Sequence, residues 1–377
     1  MVLASHGLHH RISELVGTRP PPPFTVAFSV TGLCNSRCVL CNVWACGTRQ
    51  PELETWEWEK LIAQIGPHVK FYTYTGGEPF LRDDLPQLLA LPFKYGRPSY
   101  LTLSTNCLDP ERIREHLETF FRMRKRNGHG TVVYCNLSVD GIGEQHDDLR
   151  GVKGNFSKVL QTIEYLKEIR SKRDELRIGI HTVVSRLNVN NIQTIYNYFM
   201  PLPYVDSMAC EIAEERRELL NMGTGIGPSS NDFQEAILAL TNMLLDDRKL
   251  DETVKTLRVM YYGFVERWLA TGQQPLPCFA ARASCQITPE GQVVSCGVRW
   301  REQGLIGDLR EHNYDFMKIW HSTQAASVRR SIRKLECSCP ASHAYYASLA
   351  SNPRASLITF LRRLPAKSYL RNTRRTT

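Results

Sequence analysis

Six apolar, β-branched runs, at 24–31, 69–75, 98–104, 131–139, 176–184 and 205–212, alternate with helical patterns at 54–66, 83–91, 109–126, 155–172 and 190–200. Strands separated by helices pair in parallel, because each return across the sheet is made by a crossover. The expected fold class is therefore α/β with a parallel sheet, curved or closed; periodicity alone leaves a doubly wound sheet open as well. Ligands of parallel sheets gather at the C-terminal ends of the strands. Four short motifs fall at such ends: Cys34 to Cys41, Gly76 to Pro79, Ser104-Thr105-Asn106, and Ser138-Val139-Asp140-Gly141. Four positions agreeing in this way predict one shared mouth.

The first motif carries chemistry of its own. Cys34, Cys38 and Cys41 lie within eight residues, in Thr-Gly-Leu-Cys-Asn-Ser-Arg-Cys-Val-Leu-Cys. Three soft thiolates can hold three irons of a cubane cluster and leave the fourth iron open. A structural zinc site would ask for four Cys or His ligands in two pairs. With Leu40 before the third cysteine and Gly76-Gly77-Glu78-Pro79 after the second strand, the sequence resembles the radical S-adenosylmethionine (radical SAM) superfamily. That family is known by Cys-x3-Cys-x-Φ-Cys, with Φ usually apolar or aromatic, followed by Gly-Gly-Glu-Pro.

The resemblance implies a partial (β/α)6 TIM-like barrel over 24–212. It also implies a [4Fe–4S] cluster on Cys34, Cys38 and Cys41, whose free iron takes the methionyl group of SAM. Reductive cleavage would then release a 5′-deoxyadenosyl radical, with a flavodoxin or ferredoxin as reductant. Leu40 would pack against adenine, and Gly76, Gly77, Glu78 and Pro79 would lie at the methionyl amino group. Glu78 would act there through charge or fix its loop as an acceptor. Ser138 and Arg150 match positions that hold the carboxylate, and Ser104 and Asn106 match ribose or methionyl contacts. Asp140 is either a cofactor contact or a cap of the next turn. His146 and Asp147 read as turn and solvent residues.

A second group of cysteines, Cys278, Cys285, Cys296, Cys337 and Cys339, follows Pro275-Leu276-Pro277. Cys278-x12-Gly291-x4-Cys296 resembles the opening of the auxiliary-cluster modules called SPASM and, in shortened form, twitch; Ile306-Gly307-Asp308 and Trp320 fit the segment that follows. A full SPASM module has seven cysteines and two clusters, so five imply one auxiliary cluster, a [4Fe–4S] on Cys278, Cys296, Cys337 and Cys339. The closing Cys337-Ser338-Cys339 departs from the common Cys-x2-Cys, which leaves Cys285 as a substitute ligand. The expected organisation is an extension at 1–23 ending in Pro20 to Pro23, the barrel at 24–212, a helical connection at 213–277, the auxiliary module at 278–340 and a basic tail at 341–377.

Twelve cysteines in 377 residues suit a compartment that keeps thiols reduced. Cys107, Cys135 and Cys210 lie in or beside apolar runs and read as small buried hydrophobes, and Cys46 as a bystander. The absence of a long apolar stretch or a basic-then-apolar N-terminus gives the expectation of a cytoplasmic protein. Of the net charge of +9, seven charges lie beyond Asn352, at Arg354, Arg362, Arg363, Lys367, Arg371, Arg374 and Arg375. The basicity is a tail property, so no nucleic-acid partner is expected. The segment from Ser351 reads as a helix packed on the barrel with a cationic end, the alternative being peripheral contact with an anionic membrane.

An auxiliary cluster suits net two-electron oxidation. The first functional reading is an oxidoreductase acting on a non-peptidic metabolite, such as a sugar, a cyclitol or a lipid-linked group, because the 23-residue lead is too short for a peptide-recognition domain. The alternatives are a peptide or protein maturase, and a cluster-bearing redox sensor or scaffold without turnover. The residues do not name the general base; Tyr74, Glu211 and Glu214 lie near plausible strand ends.

Overall fold

The computed structural model describes residues 2–45, 50–124, 130–216, 219–246, 252–299 and 303–361. Helix α1 (Val2–Val16) leads through the proline run into β1 (Thr25–Thr31). Five further units follow: α2 (Thr55–Ile65) and β2 (Phe71–Gly76), α3 (Leu85–Tyr95) and β3 (Tyr100–Thr105), α4 (Pro110–Met123) and β4 (Val132–Ser138), α5 (Glu144–Arg150), α6 (Asn155–Arg170) and β5 (Leu176–Val184), and α7 (Ile192–Phe199) and β6 (Val205–Ile212). All six apolar runs are strands, and β1 to β6 pair in parallel in chain order. This is the partial barrel that the alternation and the motifs predicted. Local signals place the helices: α4 starts at Pro110, and Asp109 accepts from the amide of Arg112 at 3.2 Å, satisfying a donor of the first turn.

After β6 the chain forms α8 (Ser230–Asp246) and α9 (Glu252–Thr271), two helices where the sequence read one helical region. The late module is β7 (Ser284–Ile287), β8 (Gln292–Val294), β9 (Leu305–Asp308), α10 (Phe316–Trp320) and α11 (Thr323–Arg333), followed by α12 (Ser342–Ala350) and α13 (Pro353–Leu361). It is not a separate layer. Strand β7 pairs in parallel with β1, Thr25 opposite Ser284, and the antiparallel β8 and β9 extend the same sheet to the order β6-β5-β4-β3-β2-β1-β7-β8-β9. An uncovered β1 would expose a row of unpaired backbone groups, which β7 occupies. At the other edge α9 does the same work, as Arg258 donates to the Met208 carbonyl at 2.7 Å and the Cys210 amide donates to the Tyr262 hydroxyl at 3.1 Å.

Side chains alternate across the sheet. One face is apolar and fully buried: Val26, Phe28, Tyr72, Leu101, Leu103, Val133, Leu137 and Ile178 pack under the helices. Phe28 stacks on Tyr72 and Tyr74, ring centres 5.6 and 5.4 Å away. Burying each such side chain stabilises the fold by about 1.5–3 kcal/mol. Cys107, Cys135 and Cys210 belong to this core as expected. Tyr74 belongs to it too, its hydroxyl donating to the Leu88 carbonyl at 2.9 Å, and is thereby removed as a candidate base. The other face is polar and half-buried, carrying Thr73, Thr75, Thr102, Ser104, Tyr134, Asn136, Ser138 and His181. It forms the lining of the open barrel.

The proline run docks on the late module: the Trp320 indole donates to the Pro21 carbonyl at 2.9 Å. Among the described residues no helix is long and apolar enough to cross a membrane. In α13 Leu357 and Ile358 are exposed; Cys46 and six of the seven basic tail residues, Arg362 onward, lie outside the described residues.

Candidate active site

The loop after β1 is held against the end of β2 by backbone contact. The amides of Gly77 and Glu78 donate to the carbonyls of Thr31 and Leu33, each at 2.8 Å. A Cβ on Gly77 would stand 2.0 Å from the Leu33 carbonyl oxygen, and Gly76 has φ +131°, so both positions need glycine. The close approach made by the two glycines is thus to the cysteine loop itself. Glu78 is buried, accepting from the Asn106 amide at 2.7 Å and the Phe80 amide at 3.2 Å. Burial pushes its carboxyl up to about 7 against the pull of those amides. It fixes the loops after β2 and β3, with Pro79 opening the next turn.

The thiols lie among polar groups. Asn106 Nδ2 donates to Asn35 at 2.7 Å and lies 3.9 Å from the Cys34 sulfur. Ser36 Oγ donates to the Arg150 carbonyl at 2.9 Å and is 3.1 Å from the Cys38 sulfur. The Arg150 guanidinium is buried, paired with Asp140 at 2.9 Å, and reaches to 3.7 Å from Cys38. Among the described residues its Nε has no hydrogen-bond partner. Asp140 also accepts from the Val183 amide at 2.9 Å, so it ties β5 to the guanidinium. Leu40 packs with Ala213 and Ile226, while Ser104 and Ser138 stand half-buried on the lining face.

His146 is wholly buried rather than solvated. It accepts from the Asp140 amide at 3.3 Å and donates through Nε2 to Asn155 at 3.0 Å, and Asn155 donates to the Asn106 carbonyl at 2.9 Å. Burial, with Arg150 nearby, lowers its pKa to about 4, so the ring is neutral and links the loops after β3 and β4. Asp147 caps the start of α6, accepting from the amides of Gly154 and Phe156.

A dyad that the sequence did not reveal completes the mouth. His181 near the end of β5 lies 3.3 Å from Glu211 of β6, and Ser342 donates to the same carboxylate. Burial opposes protonation of His181, but Glu211 outweighs it and raises the imidazole above its ordinary value. In turn, the His181 cation and the Ser342 hydroxyl overcome burial and hold Glu211 at about 2.

In the second group Cys278, Cys337 and Cys339 each have Cys296 as an electrostatic neighbour, and Cys278 also neighbours Cys337 and Cys339. Cys285 is not among them. It lies in β7 opposite Val26 with its sulfur in the apolar core, which leaves it no part as a substitute ligand. The buried guanidinium of Arg299 faces Cys337, and among the described residues its Nε and Nη1 have no hydrogen-bond partner. Burial pushes the Cys41 thiol up to about 11 and Cys278 to about 12, and raises Cys34, Cys337 and Cys339 as well. Among the described residues no three His, Cys, Asp or Glu side chains close on a point as they would for a single ion. A cubane takes each cysteine at a different iron, so its sulfurs stay apart. Both cysteine groups, with buried guanidinium donors aimed at them, fit clusters of that kind.

Residues 28–199 match the model of the radical SAM superfamily. The chain carries a radical SAM domain over these residues. Residues 278–341 match the iron-sulfur cluster-binding domain called SPASM. This radical SAM chain is 29% identical to an Fe-coproporphyrin III synthase of Methanosarcina barkeri over 46% of its length and 40% of that protein's. It is 24% identical to an AdoMet-dependent heme synthase of Oleidesulfovibrio alaskensis, covering 88% of this chain and 82% of that one. A PqqA peptide cyclase of Bradyrhizobium diazoefficiens is 23% identical, covering 80% and 74%. Streptococcus suis SuiB shares the fold with a TM-score of 0.60 at 14% identity, covering 92% and 77%. As a radical SAM enzyme with a SPASM domain, the protein uses SAM, a [4Fe–4S] cluster and auxiliary iron–sulfur chemistry.

Proposed function

We propose that this radical SAM enzyme is a peptide maturase, which oxidises or cross-links a peptide by hydrogen abstraction. The observation that carries the reaction class is the convergence of Cys34, Cys38 and Cys41, Asn106, the Asp140–Arg150 pair and the His181–Glu211 dyad on one end of the sheet. When bound, the SAM-bearing cluster supplies the abstracting radical and the auxiliary cluster supplies an electron acceptor. Cys34, Cys38 and Cys41 would hold the first cluster, and Cys278, Cys296, Cys337 and Cys339 the second. The free Nε of Arg150 would take the methionyl carboxylate, Asp140 keeping the guanidinium in place. Ser104, Ser138 and Asn136 line the path toward the substrate. His181, oriented by Glu211, would accept the proton that leaves the substrate.

A peptide substrate is supported by the PqqA peptide cyclase relative and by the row of Thr, Ser and Asn side chains on the lining face, whose hydroxyls and amides suit a polar backbone. The match to a heme synthase along 88% of the chain favours a second reading, a non-peptidic metabolite. The test is anaerobic turnover of the reconstituted enzyme with SAM and dithionite, offering PqqA-type precursor peptides in one arm and Fe-coproporphyrin III in the other. The expected result is a peptide that loses two hydrogens for each 5′-deoxyadenosine formed. An unaltered peptide beside an altered porphyrin would replace this reading with the second.

A further inference from the structure

A cavity of about 550 Å³ lies outside the barrel mouth, between α1, the segment 274–282 and α11. Its charge is one-sided. Arg11, Arg282, Arg329 and Arg333 line it, and Glu14 is the acidic residue among its walls. Arg11 takes Glu14 at 2.7 Å, and Arg282 and Arg333 reach the other oxygen of the same carboxylate at only 3.7 and 3.9 Å. Arg329 is spent on the carbonyls of Ala281 and Trp320. Arg282 is 9% exposed, and among the described residues its buried Nη1 has no hydrogen-bond partner.

A buried guanidinium N–H without an acceptor costs free energy, and three cations around one carboxylate repel one another. The crowding is visible in Arg282, which burial and its neighbours Arg333 and Arg11 hold below the usual arginine range despite Glu14. Most of the remaining wall is apolar, formed by Leu276, Ile332, Pro275 and Pro277 with Leu15 and Leu335 exposed at the rim, and Gln274 is its polar member. An anion would relieve the cations, and an apolar body would cover the rest. Cys278 forms part of the wall, so an occupant would lie beside the auxiliary cysteines.

We infer that this cavity is a binding site for a small oxyanion ligand, a carboxylate or phosphate carried on an apolar body, held by Arg282 with Arg11 and Arg333. The inference is independent of the substrate at the barrel mouth. Titration calorimetry of the full chain in low-chloride buffer, with decanoate and with pyrophosphate as probes, tests it. Saturable one-to-one binding of either probe is expected, weakened roughly tenfold in Arg282→Gln by loss of a charge-assisted hydrogen bond. Arg333→Gln, at a side chain that is 59% exposed, should weaken it severalfold while leaving SAM binding unchanged. Tighter decanoate than pyrophosphate identifies a carboxylate with an apolar tail; the reverse identifies a phosphate. No saturable binding of either up to roughly 10 mM, or equal affinity in wild type and both variants, overturns the site.

Discussion

Replacing Glu57 by Gln tests how the SPASM module is fastened to the barrel. Glu57 of α2 is buried and takes Arg310, just past β9, through two bonds of 2.7 and 2.9 Å, together with the Tyr314 hydroxyl at 2.6 Å and the Glu54 amide at 2.8 Å. Burial opposes the charge, but Arg310 and Tyr314 prevail and lower the carboxyl from 4.5 to about 2. That difference corresponds to about 3 kcal/mol at neutral pH, which solvent at the one-third-exposed Arg310 trims to about 2–3 kcal/mol. A depressed carboxyl contributes stability above its unfolded value and loses it as pH falls through the folded one. About a quarter of the contribution should be gone by pH 4 and more than half by pH 3. The assay is the urea midpoint of wild type and Glu57→Gln under anaerobic, reducing conditions, with a shared slope converting midpoint to free energy. Glu57→Gln should be less stable by about 2–3 kcal/mol at pH 7, the gap closing on acidification. A gap under about 0.5 kcal/mol at pH 7, or one that acid leaves unchanged, refutes the assignment.

Anaerobic reconstitution should give about eight irons per chain, falling to about four in the Cys337→Ala, Cys339→Ala double variant; an unchanged count removes the auxiliary ligand assignment. Gly77→Ala drives a methyl into the Leu33 carbonyl and should cost the cluster on the first loop, again about four irons, while leaving the SPASM cluster in place. Asp140→Asn frees the Arg150 guanidinium and should weaken SAM binding about tenfold by equilibrium dialysis, whereas an unaltered affinity would separate Arg150 from the carboxylate. His181→Asn should lower substrate oxidation about a hundredfold while 5′-deoxyadenosine still forms. In wild type that oxidation should rise with pH through a pKa above 6.5, because the neutral imidazole accepts the proton, and Glu211→Gln should move the inflection down. Coincident pH profiles for wild type and Glu211→Gln would exclude the dyad.

What the sequence exposes and what it hides follow from the range of the interactions. The six strands are legible because apolar and β-branched residues mark each run locally, and the first four strand ends because their motifs are contiguous. The partners are not. Glu78 meets the amide of Asn106, 28 residues away, so no spacing rule separates its fixing role from a charge role. His181 sits among Ile180, Thr182 and Val183 and reads as one more core residue; only the β5–β6 register, His181 opposite Ala209, brings it diagonally to Glu211. Cys285 is the opposite case, a cysteine in the right stretch on the wrong face. Gln286 donates inward to Ser29 at 2.7 Å, and strand alternation therefore turns Cys285 outward into the core. Helix α1 is not legible in the sequence, because its pattern carries a glycine and no acidic first turn, and its burial comes from packing against α12 and α13.

The segment after β6, which reads as a polar, glycine-rich connection, lies between the first cysteine loop and Cys339. Asn221 donates to the Leu40 carbonyl and to the Glu214 carbonyl, each at 3.1 Å, and the Asn42 amide donates to the Leu219 carbonyl at 2.9 Å. These bonds fasten the segment to the loop that carries Cys38 and Cys41. On its other side Arg216 pairs with Glu214, its Nε donating at 2.7 Å, and its charge faces Glu211 and Cys339. Leu40 closes the apolar seam with Ala213 and Ile226. A mobile connection could not hold an auxiliary thiol, the His181–Glu211 dyad and the first cysteine loop in fixed relation. A strut bonded to the cysteine loop and ion-paired beside Cys339 can, and in the proposed reaction a proton and an electron leaving one substrate would require that relation to be fixed.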